Sequence, residues 1–279
     1  MKISILLPYK ENYSPTYPGA VSLFVHSTTK ISKFKNDITI FGFTDLKDKF
    51  PEKYVNIPLK KNELFKSQSK DYVNKFIQLH SSVKVDIVEV HNRPNYVNYI
   101  KKLNSKIVLY FHNDPISMIG SKSTKERKNL LIICSKIIFN SEWSKKRFLK
   151  NLDNFYHKSL KLEVIHQSIN KEKININRKD KLITFVGKLN SAKGYDLFGK
   201  AIIKILNKYP DWKSIVIGDE PREKIIFNHK NLKILGFQKH SKVLEIFKNT
   251  SIAVACSRWE EPFGRTSLEA SSRGCAVII

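Results

Sequence analysis

The sequence has few cysteines, few acidic side chains and no long apolar run. Only three cysteines, Cys134, Cys256 and Cys275, occur among 279 residues, and they are far apart. This excludes a disulfide framework or a CxxC metal site as an organising feature, and it indicates a reducing compartment. No apolar run approaches the roughly 18 residues of a membrane-spanning helix. The apolar start of the chain ends at Pro8, too early for a signal peptide, so we expect a first buried strand and a cytoplasmic protein.

Acidic residues are outnumbered by basic ones. The chain has 50 lysines and arginines against 25 aspartates and glutamates, a net charge of +25. Such a charge attracts polyanions, namely nucleic acid, anionic lipid or phosphorylated ligands. A coding bias that enriches lysine, asparagine and isoleucine explains part of the excess equally well. No RRM, zinc-finger or KH signature is present, so specific nucleic-acid binding is not expected.

Short apolar runs alternate with amphipathic stretches along the chain. This alternation predicts an α/β protein with parallel sheets. Residues 197–206 and 243–247 have the 3- and 4-residue apolar spacing of helices. The polar segment near 170–181 separates two such series and predicts two domains, residues 1–176 and 177–279. The predicted strands are Ile3–Leu7, Ile38–Phe43, Val85–Val90, Ile107–His112, Ile137–Asn140, Leu182–Val186, Ser214–Ile217, Leu232–Leu235, Ile252–Ala255 and Ala276–Ile279.

Two glutamates flank a predicted helix start in the segment 259–270. Glu261 lies in the loop after the predicted strand, and Glu269 lies within about the first turn of a helix beginning near Arg265. A helix N-terminus suits a phosphate, and Gly264 would allow the backbone to approach it closely. The carboxylates could then bind sugar or ribose hydroxyls. Alternatively, Glu269 only complements the helix dipole and Glu261 is solvated.

Two lysines lie in the segment 186–194, which also has the pattern of strand, loop and helix. Lys188 and Lys193 follow the carboxyl end of the strand, where α/β sheets bind ligands. Their ammonium groups could neutralise a diphosphate and stabilise a leaving group. The competing interpretation is that they are two surface lysines in a lysine-rich chain. The loop lacks the Walker A pattern.

Together these loops resemble the donor half of the retaining GT-B glycosyltransferases of family four. That family has a Gly-Arg/Lys loop, then Lys-Gly, then a Glu-x7-Glu motif written Glu-Pro-Phe-Gly and ending Leu-Glu-Ala. The matching segments are Gly187-Lys188, Lys193-Gly194, Glu261-Pro262-Phe263-Gly264 and Leu268-Glu269-Ala270. The resemblance covers about residues 182–279. It implies two Rossmann-like domains that face each other across a cleft, with the C-terminal domain incomplete.

The resemblance also implies roles for individual residues. Lys188 and Lys193 would contact the nucleotide diphosphate, and Glu269 would hold the ribose hydroxyls. Glu261 would face the donor sugar. The backbone around four consecutive residues, Phe263, Gly264, Arg265 and Thr266, would cradle phosphate and sugar. Enzymes of this kind need no bound metal or cofactor, and the sequence has neither an Asp-x-Asp motif nor a clustered His/Cys site.

The N-terminal half resembles the acceptor domain of the family more loosely. Gly19 opens a predicted helix and could place backbone N–H groups near the leaving diphosphate, or it is an ordinary turn glycine. His112 ends a predicted strand, where the family has a histidine facing the reacting sugar; it could instead be a capping or core histidine. Ser141 is expected to cap a helix. His91 and Arg93 are weaker candidates at the same edge.

The expected activity is therefore that of a retaining, metal-independent glycosyltransferase. It would move a sugar from a nucleoside-diphosphate sugar to a glycan or lipid-linked acceptor in cell-envelope polysaccharide synthesis. The family continues past the point where this chain ends, so we expect either a fragment or a naturally short form. A truncated module that binds nucleotide or glycan without transfer is the alternative.

A basic stretch, Lys122–Lys150, interleaves lysines and arginines with apolar residues. It could contact an anionic membrane surface at about 1 kcal/mol per basic residue, which would place the protein on the inner face of the membrane. The competing interpretation is a set of solvated helix faces.

Overall fold

The computed structural model describes residues 1–59, 68–80, 84–170 and 172–279. The chain forms two compact units, Met1–Gln167 and Ser168–Ile279. The boundary predicted at 176/177 therefore falls inside the second unit. Residues just before that boundary pack with the second unit, since Arg273 donates to the carbonyl of Asn170 at 2.8 Å and Lys248 pairs with Glu172 at 2.8 Å.

The first unit is built on a parallel sheet. Within its described residues, the strand order is β3-β2-β1-β4-β5-β6-β7 and every pairing is parallel. The strands are β1 (Ile3–Leu6), β2 (Ile38–Gly42), β3 (Tyr54–Asn56), β4 (Ile87–His91), β5 (Lys106–Phe111), β6 (Lys136–Phe139) and β7 (Leu162–Val164). The helices are α1 (Ala20–Ile31), α2 (Gln68–His80), α3 (Pro94–Ile100), α4 (Thr124–Ile133), α5 (Glu142–Leu149) and α6 (Asn154–His157).

Both faces of this sheet are buried. In the interior strand β1 and just after it, Ile5 and Leu7 join the apolar cluster on one face, and Leu6 joins the cluster on the other. This alternation follows from the two-residue side-chain period of a strand. It also explains the unbroken apolar runs in the sequence, because a parallel sheet covered on both faces has no polar side.

The second unit repeats the plan with a smaller parallel sheet. Its strand order is β10-β9-β8-β11-β12 over the described residues. The strands are β8 (Asp180–Val186), β9 (Lys213–Ile217), β10 (Leu232–Ile234), β11 (Thr250–Val254) and β12 (Ala276–Ile278), and the helices are α7 (Tyr195–Lys208), α8 (His240–Asn249) and α9 (Arg265–Ser272). Strands β8 and β11 are neighbours, so the loops that leave their carboxyl ends emerge side by side.

The predicted α/β architecture with two parallel sheets is confirmed. Each of the ten predicted strands is present, with ends that differ by a residue or two, and the helices predicted at 197–206 and 243–247 lie within α7 and α8. The sequence patterns did not reveal β3 and β7, the two edges of the larger sheet. Their sequences, Tyr-Val-Asn and Leu-Glu-Val, are too short and too polar to form an apolar run.

Candidate functional site

The loop after β8 carries Lys193 in a fixed backbone turn. The Asn190 side chain accepts a hydrogen bond from the Lys193 amide at 3.0 Å, which caps the start of the short 3-10 turn Ser191–Lys193. Gly194 follows with φ of 71° and begins α7. The side chain of Lys193 is partly buried, and its position is therefore set by the loop rather than by solvent.

The loop after β11 meets Lys193 through Glu261. The Lys193 ammonium pairs with Glu261 Oε1, and it lies 5.0 Å from the ring centroid of Trp259. Glu261 Oε1 also accepts hydrogen bonds from Ser257 Oγ at 2.8 Å and from Trp259 Nε1 at 3.1 Å. We call Lys193, Ser257, Trp259 and Glu261 the Lys-Glu cluster. It joins two sequence-predicted site residues that lie far apart in the chain.

The two loops are also tied through their backbones. A Cβ on Gly194 would lie 1.9 Å from the carbonyl oxygen of Cys256, so only glycine fits. The Arg258 amide donates to the carbonyl of Ala192 at 3.0 Å. The Arg258 guanidinium binds both carboxylate oxygens of Asp196, at 2.5 and 2.6 Å. These hydrogen bonds lower the pKa of Asp196 to about 2.

Helix α9 begins next to this cluster. Gly264 has φ of 78°, and the space around its α-carbon is open apart from Ser267 at 3.8 Å. Phe263, Arg265 and Thr266 are partly buried around the helix start. The N-terminal N–H groups of a helix are suited to an anion, and the open glycine allows close approach.

Glu269 is buried in the second turn of α9, slightly further along than predicted. Its Oε1 accepts from Arg265 Nε at 2.8 Å and lies 2.9 Å from His240 Nε2. Burial raises the pKa of this carboxyl, but the hydrogen bond and charge of His240, with those of Arg265, outweigh burial and leave the pKa below its ordinary value. Glu269 is therefore a carboxylate at neutral pH. Among the described residues, both contacts are to Oε1.

Lys188 differs from Lys193 in its surroundings. Its side chain is exposed, and it makes no ion pair with the described residues. Its loop is held by the neighbouring strand end, because a Cβ on Gly218 would lie 1.8 Å from the carbonyl oxygen of Gly187. Lys188 is thus free to reach an anion, but the structure does not place it against the Lys-Glu cluster.

Three contributors to the site were not predicted from the sequence. His240 begins α8 and contacts Glu269, while Trp259 and Arg258 bind Glu261 and the Lys193 loop. Arg258 and Trp259 lie three and two residues before Glu261, so their proximity to the Glu-x7-Glu segment could be seen in the sequence. No local pattern pointed to His240, because its contact with Glu269 depends on how α8 packs beside α9.

In the first unit, His112 is a buried histidine with both ring nitrogens engaged. It follows β5, is 7% exposed, and lies with Nε2 2.9 Å from His91 Nδ1. Its Nδ1 lies 3.1 Å from Gln167 Nε2. The Asn140 side chain donates to the His112 carbonyl at 2.8 Å. The ring is held in place, and a ligand hydroxyl could reach it only by replacing one of these partners.

Gly19 occupies the predicted position before α1, but the helix start is already capped. Its amide donates to Ser22 Oγ at 3.1 Å, and the Ser22 amide donates to Glu11 Oε1 at 2.9 Å. A Cβ on Gly19 would lie 2.0 Å from that Glu11 oxygen. The glycine therefore makes room for a carboxylate of the chain at the point where a diphosphate was expected.

The weaker candidates have structural partners. Ser141 Oγ accepts from the Ser144 amide at 3.1 Å, which confirms the predicted cap of α5. Arg93 donates to the carbonyl of Asn92 at 2.8 Å, and His91 is fully buried.

The basic stretch 122–150 is not uniformly exposed. Arg127 is 3% exposed and donates to three backbone carbonyls, and Arg147 pairs with Asp114 at 2.6 Å. The exposed members are Lys122, Lys125, Lys146 and Lys150. In the part of the chain that the structure describes, no helix is long and apolar enough to cross a membrane, and no three His, Cys, Asp or Glu side chains group as metal ligands would.

Part of the chain is similar to a known protein family. Residues 166–279 match the family model described as glycosyl transferases group 1. The whole chain is 22% identical over 308 aligned residues to spore coat protein SA of Bacillus subtilis (strain 168), and the match spans 80% of that protein. A shorter match, 29% identical over 118 residues, links 39% of the chain to 33% of the lipopolysaccharide core biosynthesis mannosyltransferase LpsB of Rhizobium meliloti (strain 1021).

A solved structure shows the same fold across both units. The crystal structure of Anabaena Alr3699/HepE in complex with UDP-glucose matches 99% of this chain and 80% of that chain, with a TM-score of 0.71 and 15% identity. The chain therefore has the α/β fold of GT-B glycosyltransferase structures, and its residues 166–279 are similar to group 1 glycosyl transferases.

Proposed function

We propose that the chain is a retaining glycosyltransferase that works without a bound metal. It transfers a sugar from a nucleoside-diphosphate sugar to a hydroxyl of a glycan or lipid-linked acceptor, in the synthesis of cell-envelope polysaccharide. The observation that carries the proposal is the Lys-Glu cluster beside the start of α9, with Glu269 buried in the same helix. A partly buried cation, a helix N-terminus and two carboxylates fit the parts of a nucleotide sugar.

The diphosphate would bind at the open start of α9. The backbone around Phe263, Gly264 and Thr266 supplies N–H donors, and Lys193 supplies a charge close by. The ammonium of Lys193 is paired with Glu261, which also lies in this loop cluster. As the bond to the sugar breaks, negative charge grows on the diphosphate, and preorganised cations stabilise this charge most. Lys188 adds a second, mobile cation.

The carboxylates would hold hydroxyl groups. Glu261 would accept from hydroxyls of the donor sugar, and Oε2 of Glu269, which has no hydrogen bond to the described residues, would accept from the ribose. Neither residue is placed as a covalent nucleophile in this proposal. The acceptor hydroxyl attacks from the face that the diphosphate leaves, and the departing phosphate takes its proton. This step retains the configuration at the sugar carbon.

His112 would hydrogen-bond a sugar hydroxyl in place of Gln167. Both ring nitrogens are engaged, so a sugar hydroxyl would have to donate to Nδ1 where the Gln167 amide now lies at 3.1 Å. Gly19 has a lesser part, because Glu11 already caps α1.

The relatives support the choice of substrates. One is named as a lipopolysaccharide core mannosyltransferase, and the structural neighbour is bound to UDP-glucose. The exposed lysines Lys122, Lys125, Lys146 and Lys150 would favour an acceptor carried on an anionic membrane.

The test compares Lys193→Ala with Lys200→Ala, which removes an exposed lysine on α7 of the same unit. UDP, GDP, ADP and CMP are screened by thermal shift with and without EDTA. One nucleoside diphosphate should raise the melting temperature of the wild type and of Lys200→Ala, with or without EDTA. Lys193→Ala should lose the shift. Its rate of nucleotide release from the matching nucleotide sugar should fall at least about 100-fold, with little loss of folding.

Two results would contradict the proposal. Unchanged turnover in Lys193→Ala would remove the role of the cation. If the wild type melts cooperatively but no nucleotide shifts its melting temperature, the non-catalytic alternative is favoured.

A further inference from the structure

A cavity of the second unit lies at the amino ends of β8, β9 and β10, and we call it the amino-edge cavity. Its volume is about 570 Å³, which is within the range of sites that hold small molecules. The loops that carry Lys193 and Glu261 follow the carboxyl ends of β8 and β11, at the opposite edge of the same sheet. The amino-edge cavity is therefore separate from the Lys-Glu cluster and from the start of α9.

Four exposed lysines line this cavity: Lys181, Lys213, Lys230 and Lys233. Two of them share a face of the sheet. Lys213 and Ile215 lie two residues apart on β9, and Lys233 of β10 is the register partner of Ile215. The ammonium groups of Lys213 and Lys233 thus belong to neighbouring strands on one face, where like charges repel each other.

The acidic residues of the cavity compensate only part of this charge. Asp180 and Asp211 also line it, and Asp211 is paired with Lys181. Within the part of the chain that the structure describes, the other three lysines of the cavity make no ion pair. Their charge is left for an anion from solution.

The floor of the cavity is apolar. Leu182 and Ile215 lie on the same face as Lys213, because Leu182 is the register partner of Lys213. Leu182 is buried and Ile215 is partly buried. Helix α8 packs on β8 and β11, while Lys213 and Lys233 remain exposed at the amino ends of β9 and β10. An apolar floor beneath a rim of cations suits an anion that also has an organic part.

We propose that the amino-edge cavity is a second ligand site, which binds a phosphorylated small molecule through Lys213, Lys230 and Lys233. The phosphate oxygens accept charge-assisted hydrogen bonds from the ammonium groups. Lysine side chains are flexible, so three of them can converge on one phosphate chain from different strands. The organic part of the ligand lies on Leu182 and Ile215. The site goes beyond the proposed function, because it uses no residue of the Lys-Glu cluster.

The first test locates an anion by NMR. Inorganic tripolyphosphate is added to 15N-labelled protein at an ionic strength of about 0.15 M, which screens weak surface attraction. The backbone amides of Lys213 and Lys233 should shift and saturate. The amide of Gly264 reports the candidate donor site separately in the same spectra. Unshifted amides at Lys213 and Lys233, or small shifts at every exposed lysine without saturation, as from an adventitious ion only, would overturn the proposal.

The second test compares two double variants that lose the same charge. Lys213→Ser with Lys233→Ser should weaken tripolyphosphate binding, followed at the amide of Ser214, at least about tenfold. Lys200→Ser with Lys242→Ser removes exposed lysines of α7 and α8 and should change the affinity less than about twofold. An equal loss in the two double variants would show general attraction to a basic protein and would refute a defined site.

Further probes decide the class of ligand. Phenyl phosphate should bind more tightly than inorganic phosphate, because its ring can cover the apolar floor; equal affinities would contradict the role of Leu182 and Ile215. Binding to phosphatidylglycerol vesicles or to a DNA duplex, without saturable binding of tripolyphosphate, would assign the lysines to a larger polyanion and overturn the cavity site. If no nucleotide raises the melting temperature but tripolyphosphate shifts Lys213 and Lys233, the proposed function fails while this second site is supported.

Discussion

Replacing Gly194 by alanine should destabilise the second unit and separate its two site loops. Gly194 adopts φ of 71°, a left-handed conformation that costs other residues about 1–2 kcal/mol. Its missing side chain also makes room for the backbone of Cys256. An added Cβ would lie 1.9 Å from the Cys256 carbonyl oxygen, closer than real Cβ atoms come. One loop must therefore move, and such overpacking costs a further ~1–3 kcal/mol.

Gly236 provides the matched control. It lies in the same unit and has φ of +65°, but nothing lies within 4 Å of its added Cβ. Gly236→Ala therefore incurs only the backbone cost, about 1–2 kcal/mol. Both substitutions reduce the freedom of the unfolded chain to the same extent, and this effect cancels in the comparison. The difference between the two variants isolates the contact between the loops.

Thermal unfolding measures this difference. For a domain of this size, 1 kcal/mol corresponds to roughly 4 °C in Tm. Gly194→Ala should melt at least about 4 °C below Gly236→Ala. It should also lose turnover, because Lys193 precedes the displaced residue and no longer meets Glu261. Equal melting temperatures for the two variants would refute the argument that the Cys256 carbonyl is what requires glycine.

Two further outcomes follow from the ion pairs of the second unit. Glu269→Gln should destabilise the protein by about 1–3 kcal/mol at pH 7. The folded pKa of Glu269 is below the ordinary 4.5, so the stability that Glu269 contributes is present above about pH 4.5 and is lost as pH falls through the folded pKa. The Tm values of the wild type and of Glu269→Gln should therefore converge in acid. A gap in Tm that stays constant with pH would contradict this. Arg258→Ala removes an exposed pair with Asp196 and should leave Tm almost unchanged while turnover falls several-fold, because the Lys193 loop loses a contact. Lys181→Ala, which breaks an exposed pair with Asp211, is its control and should keep full turnover.

Most strands could be predicted because a strand that is buried on both faces consists of consecutive apolar residues. Ile3 to Leu7 and Leu182 to Val186 are apolar whichever face each residue takes, so the run itself marks the strand. Strands β3 and β7 lie at the edges of the sheet, pair with one neighbouring strand each and carry polar residues. Their composition therefore resembles that of loops. The division predicted at 176/177 differs from that of the compact units, which divide after Gln167, because Asn170 and Glu172 are polar and yet are bound by Arg273 and Lys248 of the second unit.

The sequence indicated the positions of the candidate site residues at strand and helix ends, but it did not indicate which side chains they contact. Loop glycines and the capping position of α9 follow from local rules, and they placed Lys193, Glu261 and Glu269 at strand and helix ends. That Lys193 pairs with Glu261, and Glu269 with His240, depends on the order of strands in the sheet and on helix packing. The same holds for His112, whose partners His91 and Gln167 come from a neighbouring strand and a later loop.

The position of Trp259 has a practical consequence. It is one of three tryptophans, and its indole lies against the Lys193 ammonium while its N–H binds Glu261. Indole fluorescence responds to nearby charge and to the loss of a hydrogen bond. A ligand that draws Lys193 away from Glu261 changes the charge beside the indole. The fluorescence of Trp259 can therefore report ligand binding at the Lys193 loop in solution, without an attached dye.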